Sequence, residues 1–200
     1  MKLLKLILGA ASLIAVSPAS ATDFTVDALL NSSSGGVALP SIIIVGGQVI
    51  NVSASTSDLW SAGALPRYSD ANGLIAVRIA QPSDDSGPRD GVTQIGADFG
   101  LWTQNGFSAP FGSLVGRVGT EYQLLGTSFT GSFSNSGPLE LFYWDSNNGD
   151  NFGTITAHIT TAQALVPEPS SWALMLAGFG AMGMALRRRS KRSTGLARTA

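Results

Sequence analysis

The 200-residue sequence contains no cysteine and a single histidine, His158. Without cysteine the chain has no disulfide, no thiolate nucleophile and no thiolate metal site. A lone histidine argues against a zinc centre and against a catalytic triad. Lysine is also absent between Thr22 and Leu165, which excludes Schiff-base chemistry there. A domain of this composition depends on its core, or on bound ions, for stability.

Charge is scarce, at 12% of residues, and it is unevenly distributed along the chain. Between Thr22 and Leu165 there are four basic and twelve acidic residues, a net charge of −8. Nucleic-acid binding requires a cationic surface, so this acidic body excludes nucleic acid as an expected partner. An acidic surface instead suits solubility and cation binding.

The first 21 residues have the pattern of a secretory signal peptide. Lys2 and Lys5 precede an apolar run at Leu6–Val16, and Ala19-Ser20-Ala21 supplies small residues at a cleavage site. We expect residues 1–21 to be removed and the exported chain to begin at Thr22. The alternative interpretation is a buried N-terminal helix.

An uncharged stretch of fifteen residues, 172–186, lies near the other end and is followed by a basic cluster at 187–192. As a helix it would be about 22 Å long, against a hydrocarbon core of about 30 Å. With flanking residues it predicts a transmembrane helix at about 171–187. The basic cluster would stay cytoplasmic, which places the body outside the cytoplasmic membrane.

Residues 165–192 resemble the PEP-CTERM sorting signal. The parts that carry the resemblance are Pro167-Glu168-Pro169, the apolar segment, and the cluster that begins with Arg187, Arg188 and Arg189. The resemblance implies a membrane-anchored precursor, cut by an exosortase-type processing enzyme and delivered to the cell surface or an exopolysaccharide matrix. The alternative is a plain single-span anchor with a proline-rich stem. Residues 193–200 are expected to form a disordered tail.

The body, residues 22–164, is predicted to be an all-β domain of the sandwich or barrel type. Short runs with strand character alternate with Gly, Ser, Asn, Asp and Pro clusters. In the last run, Ile155, Ala157 and Ile159 share one face of the strand. The predicted strands are Phe24–Leu30, Ser41–Val45, Val49–Ser55, Leu74–Ala80, Ser113–Val118, Glu121–Leu125, Ser128–Phe133, Leu139–Trp144 and Gly153–Thr161.

The strongest candidate site is the polar segment 145–153 between the last two predicted strands. Its carboxylate and amide side chains are oxygen ligands of the kind that calcium prefers. The predicted metal ligands are Asp145, Asn147, Asp150 and Asn151. The segment is not an EF-hand, because Thr156 stands where that loop needs an acidic residue. A polar hairpin turn without a metal is the alternative, since Asn, Asp and Gly are common turn residues.

A second resemblance concerns the whole body, which is similar to the calcium-dependent galactophilic lectins of the LecA type. It rests on "SIIIVGGQVINVSAS", "DANGL" and "LELFYWDSNNGDNFGTITAHI". It implies a jelly-roll β-sandwich in which Asp145, Asp150 and Asn151 hold calcium, calcium holds sugar hydroxyls and Asn72 contacts the sugar. Two departures weaken the sugar part: the loop is shorter than in the family, and Ser69 replaces a sugar-contacting histidine.

The sugar-binding candidates are therefore Asn72, Asp145 and Asp150, with Trp60 as a stacking surface in a loop-like context. No positioned acid–base set is visible, so we expect a binding protein rather than an enzyme. Two alternatives remain open: a structural or adhesive matrix protein without sugar recognition, and an unrecognised glycoside hydrolase.

Overall fold

Fourteen strands and one helix make up the regular structure of the computed structural model, which describes residues 20–161 and 169–194. The strands lie within one compact unit, Pro18–Gln163, and the helix belongs to another. In chain order the elements are β1 Ser20–Asp27, β2 Leu39–Ile44, β3 Ile50–Ser53, β4 Trp60–Ser61, β5 Tyr68–Ser69, β6 Arg78–Ile79, β7 Gln94–Gly96, β8 Leu101–Gln104, β9 Phe107–Pro110, β10 Ser113–Val118, β11 Glu121–Leu124, β12 Ser128–Gly131, β13 Gly137–Trp144, β14 Phe152–Thr161 and α1 Pro169–Thr194.

The larger sheet is organised around β14. Antiparallel β1 pairs with β14 from Thr154 to Thr161 on one edge. On the other edge, β3 pairs with its C-terminal end and β4 with its first two residues. The sheet continues from β3 to β12 and from β4 to β5.

The second sheet has the order β11-β10-β13-β2, and all its pairs are antiparallel. Arg117 on β10 lies opposite Glu140 on β13, with 2.7 Å between Nε and Oε2. Such a cross-strand pair of opposite charges supports the register of the two strands.

The main core contains buried side chains from both sheets, as expected for a β-sandwich. Ile155, Ala157 and Ile159 of β14 are at most 1% exposed, which confirms the predicted apolar face. They share a core with Leu114 and Leu139 of the second sheet. The prediction of an all-β body is confirmed.

Two short hairpins lie outside these sheets. β6 pairs with β7, and β8 pairs with β9. The turn of the second hairpin is Asn105-Gly106, with φ of 52° and 79°, which are the left-handed values that two-residue hairpin turns need.

Several strand predictions need correction. Residues 28–30 form a turn instead of continuing β1, because the Asp27 carboxylate accepts the backbone N–H groups of Leu29 and Leu30. The predicted strand Leu74–Ala80 is reduced to Arg78–Ile79. Five strands were not predicted: β4, β5, β7, β8 and β9.

The helix α1 covers the predicted span of about 171–187 and opens at Pro169, a residue suited to the first helical turn. The expected membrane crossing is not confirmed: among the described residues, no helix has the length and apolar character needed to traverse a bilayer. The uncharged stretch is only fifteen residues long, and Arg187 follows it directly. Residues 193 and 194, expected in a disordered tail, are helical.

Several expectations fall outside the described residues. Pro167 and Glu168 are among them, and so is the signal peptide except for its last two residues. Those two, Ser20 and Ala21, begin β1 and pair with Thr161 and Thr160. The signal peptide and its cleavage site remain predictions.

Candidate functional site

The loop between β13 and β14 is held against the segment that follows β1. The backbone N–H of Asp145 donates to Ser33 Oγ at 3.1 Å, and Ser33 Oγ donates to the Asp145 carbonyl at 2.9 Å. The amide groups of Asn148 and Asn151 donate to the carbonyls of Leu29 and Ala28. The loop thus has a defined shape, although it contains no regular structure.

Three of the four predicted metal ligands, Asp145, Asn147 and Asp150, line one cavity of about 220 Å³. The remaining wall is partly apolar and includes one cation. Its members are Ala62, Arg67, Leu74, Phe99, Phe111 and Ser146. The structure thus brings three of these oxygen-bearing side chains onto one cavity and adds an aromatic and cationic wall that was not predicted, while their role as metal ligands remains a prediction.

Asp145 is the buried carboxylate of this cavity, at 5% exposure. Burial raises its pKa, and the negative charge of Asp150 raises it further. Hydrogen bonds from the Ser146 backbone and the Asn151 side chain oppose that shift by favouring the ionised form. A buried carboxylate beside a second one is a position that a bound cation would stabilise.

Asn151, the fourth predicted ligand, is not among the residues that line the cavity and is also 5% exposed. Its Nδ2 donates to the Ala28 carbonyl at 3.2 Å. Its Oδ1 is buried and has no hydrogen-bond partner among the described residues. Buried polar atoms in proteins are nearly always paired, so this oxygen is an acceptor that a ligand would satisfy.

Arg67 supplies the positive charge at the cavity. Its Nη1 lies 3.3 Å from Asp150 Oδ2 and donates to the Ala62 carbonyl at 3.3 Å. Its guanidinium carbon lies 5.5 Å from the centroid of the Phe99 ring, a cation–π contact. Both Arg67 and Asp150 are about half exposed, so this ion pair is open to exchange with a ligand.

The structure contradicts one sugar-binding candidate, Trp60. Its side chain is 0% exposed, packs edge-on against Tyr143 at 4.5 Å and donates from Nε1 to the Gly112 carbonyl. A ring buried in this way cannot stack on a sugar. The half-exposed aromatic ring at the cavity is Phe99, at 41% exposure.

Asn72 lies on a different cavity, of about 490 Å³, together with Ser69, Asp70, Arg78 and Asp84. Its amide is engaged with Thr127, whose N–H donates to Asn72 Oδ1 at 3.1 Å. The structure therefore does not bring Asn72 onto the cavity of Asp145 and Asp150, although Leu74 lines both.

The donor set of the smaller cavity consists of oxygens from carboxylates and amides. Across the described residues no three His, Cys, Asp or Glu side chains form a metal-binding group. The set lacks the histidine and cysteine ligands on which zinc sites are built, even where a carboxylate completes them. It fits calcium, which accepts carboxylate, amide and water oxygens together.

The C-terminal segment matches the model of the PEP-CTERM protein-sorting motif over residues 165–189. The chain carries a PEP-CTERM sorting motif. The motif implies processing by an exosortase, and it implies an exported protein that is sorted to the cell surface. The resemblance found in the sequence is thereby confirmed for this segment.

No curated protein matches the chain. Among solved structures, one that matches is described as the EclA N-terminal domain, a PllA-like lectin, with 23% identity and a TM-score of 0.42. The match covers 70% of this chain and 94% of that one.

Proposed function

We propose that the exported β-sandwich is a binding module that holds calcium in the β13–β14 loop and, through calcium, the hydroxyl groups of an exopolysaccharide. One observation carries the proposal. Asp145, Asn147 and Asp150 line one cavity, and the buried Asn151 Oδ1 beside it has no partner among the described residues. Three oxygen-bearing side chains on one cavity, followed in the chain by a buried amide oxygen without a partner among the described residues, are what supports a cation site here.

Calcium would supply a charge that neutralises the two carboxylates and coordination positions for a ligand. It takes six to eight oxygens, more than these four side chains offer as single donors. Hydroxyl groups of a sugar can complete such a set. The apolar part of the wall, Phe99 and Phe111, offers a surface for the C–H face of the sugar ring.

The test is thermal unfolding of the purified chain in excess calcium chloride and then in chelator. A ligand present at about 100 times its Kd stabilises the folded state by about 2.7 kcal/mol, so Tm should rise by several degrees. Asp145→Asn and Asp150→Asn should each abolish the rise. Asp23→Asn, which removes an exposed carboxylate on β1, is the control and should retain it. Identical curves with and without calcium would reject the proposal.

Sugar recognition is tested separately by a glycan array in calcium and in chelator. Binding that chelator removes supports the full proposal. A calcium-dependent Tm without any glycan signal would instead favour the structural or adhesive matrix protein.

A second candidate, glycoside hydrolase, has one observation in its favour. Burial raises the pKa of Asp145, and the exposed Asp150 lies in the same cavity. Two carboxyl groups in unlike environments are the arrangement that separates a general acid from a base or nucleophile. Release of reducing ends from a polysaccharide panel, lost in Asp145→Asn, would support this candidate, and a panel without products would reject it.

A further inference from the structure

The four arginines of the body differ in what they contact. Three of them form ion pairs or hydrogen bonds away from the cavity of Asp145 and Asp150. These contacts are Arg78 with Asp70 and Asp84, Arg117 with Glu140, and Arg89 with the Asp85 carbonyl. Arg67 alone among these four lines that cavity. Its position therefore bears on what the cavity accepts.

The contacts of Arg67 leave much of its guanidinium available. Within the described residues, the hydrogen bonds of the Arg67 guanidinium run through Nη1 alone, to Asp150 and to the Ala62 carbonyl. The side chain is 45% exposed, and its guanidinium carbon lies 5.5 Å from the centroid of the Phe99 ring. An arginine held in this way can present two parallel N–H donors to a carboxylate.

The charge balance in the cavity then indicates the charge of the ligand that would bind beside calcium. In the cation-free arrangement Arg67 neutralises Asp150. A calcium ion on Asp145 and Asp150 would take over both carboxylates and leave one positive charge in excess, that of Arg67. An excess charge in a partly enclosed cavity favours a ligand with one negative charge.

We propose that the cavity selects a hexuronic acid, with ring hydroxyls on calcium, the ring against Phe99 and the carboxylate on Arg67. The proposal rests on the calcium site proposed above and names the class of sugar that this site takes. Arg67 has two roles in it. It is the internal counter-ion of Asp150 when calcium is absent, and it is the anion contact when calcium is bound.

The test compares sugars that differ only at C6. Calorimetric titrations of the full chain use D-galacturonic acid against D-galactose and D-glucuronic acid against D-glucose, with protein and sugar in the same calcium buffer. We expect at least one uronic acid to bind about tenfold or more tightly than its neutral partner, the equivalent of about 1.4 kcal/mol. A calcium titration without sugar is performed first on each variant.

The Arg67→Gln variant separates the two proposed roles of Arg67, as counter-ion of Asp150 and as contact for the sugar carboxylate. The variant should lose the preference for the uronic acid and bind calcium with unchanged or higher affinity, because the competing cation on Asp150 is gone. Arg89→Gln, an exposed arginine away from the cavity, is the matched control and should preserve both affinities.

The outcomes distinguish the two proposals. If wild type binds calcium but does not prefer a uronic acid, or if Arg67→Gln keeps the preference, the acidic-sugar inference is wrong and the calcium site stands. If the calcium titration of wild type shows no binding, the proposed function fails and this inference fails with it.

Discussion

Gly63 shows how a single backbone position shapes the cavity. Its φ of 115° is one that L side chains rarely adopt, and a Cβ placed there would collide with Asp150 Oδ2. The missing side chain lets the Asp150 carboxylate approach the backbone beside Arg67. A residue without a side chain thus leaves the space that the Asp150 carboxylate occupies.

We predict that Gly63→Ala is more destabilising than Gly47→Ala. Both positions have positive φ, so each substitution should cost on the order of 1 to 3 kcal/mol in backbone strain. Gly63 should cost more because its φ of 115° lies farther than the 80° of Gly47 from the left-handed well near about 57°. A Cβ at Gly63 would also push the Asp150 carboxylate aside, whereas a Cβ at Gly47 meets no atom within 4 Å. Urea unfolding measures both variants, and the Gly63 variant should also lose the rise of Tm with calcium. Equal free energies of unfolding would contradict this account.

The polar residues of the site could be predicted from the sequence because they are adjacent along the chain. Asp145, Asn147 and Asp150 lie within six residues of one another on one loop. Arg67 and Phe99 come from other loops, and no local pattern relates them to that loop. Trp60 was misjudged because its two-residue strand has no alternation to reveal that the ring is buried.

At the scale of elements, a pair of carboxyl groups fastens a long loop to the larger sheet. Asp58 Oδ2 accepts the Thr156 N–H of β14 at 2.7 Å, and Asp85 Oδ1 accepts the Leu59 N–H at 2.8 Å. Burial raises the pKa of Asp58 from 3.8 to about 6, and the neighbouring Asp85 raises it too, against the lowering effect of the Thr156 hydrogen bond. The positive charge of His158 has a smaller lowering effect.

This pair predicts a pH dependence of stability. Because the folded protein holds the proton more tightly than the unfolded chain, the contribution of Asp58 is complete below pH about 4 and is lost as pH rises through about 6. Asp58→Asn mimics the protonated acid and should remove this dependence. At pH 7.5 the variant should be the more stable protein, by on the order of 1 kcal/mol after allowance for partial exposure. Parallel pH profiles of the urea unfolding free energy would contradict the prediction.

The strands differ in how clearly the sequence predicts them. β10 was predicted with its observed ends, and β14 within one residue. β14 shows the alternation of a half-buried strand, whereas β10 is buried over almost its whole length and was recognised as a short apolar run between turn residues. β4 and β5 have two residues each and exist through their pairing with β14 and with each other. The β8–β9 hairpin was missed although Asn105-Gly106 between two apolar runs is a strong turn signal.

At the scale of the whole chain, a substitution in the sorting motif should affect C-terminal processing and leave the sandwich unchanged. We predict that Glu168→Ala blocks C-terminal processing, because the acidic residue between two prolines distinguishes this segment from an ordinary stem. Cells should accumulate the uncut chain, which a C-terminal epitope tag and intact mass would reveal. Arg198→Ser, beyond the matched residues, is the control and should be processed normally. Processing of the Glu168 variant at the wild-type rate would contradict the prediction.

The course of β14 has a mechanical consequence. The strand begins at the candidate site, beside Asn151, and its last residue, Thr161, is four residues before the sorting motif. Ten residues of strand span about 33 Å. A pull between a polysaccharide held at the loop and an attached C-terminal end would therefore run along β14. The hydrogen bonds to β1 and β3 lie across that direction and would be loaded together in shear, rather than opened one after another. We therefore expect the proposed binding module to resist tension applied between its β13–β14 loop and its C-terminal end.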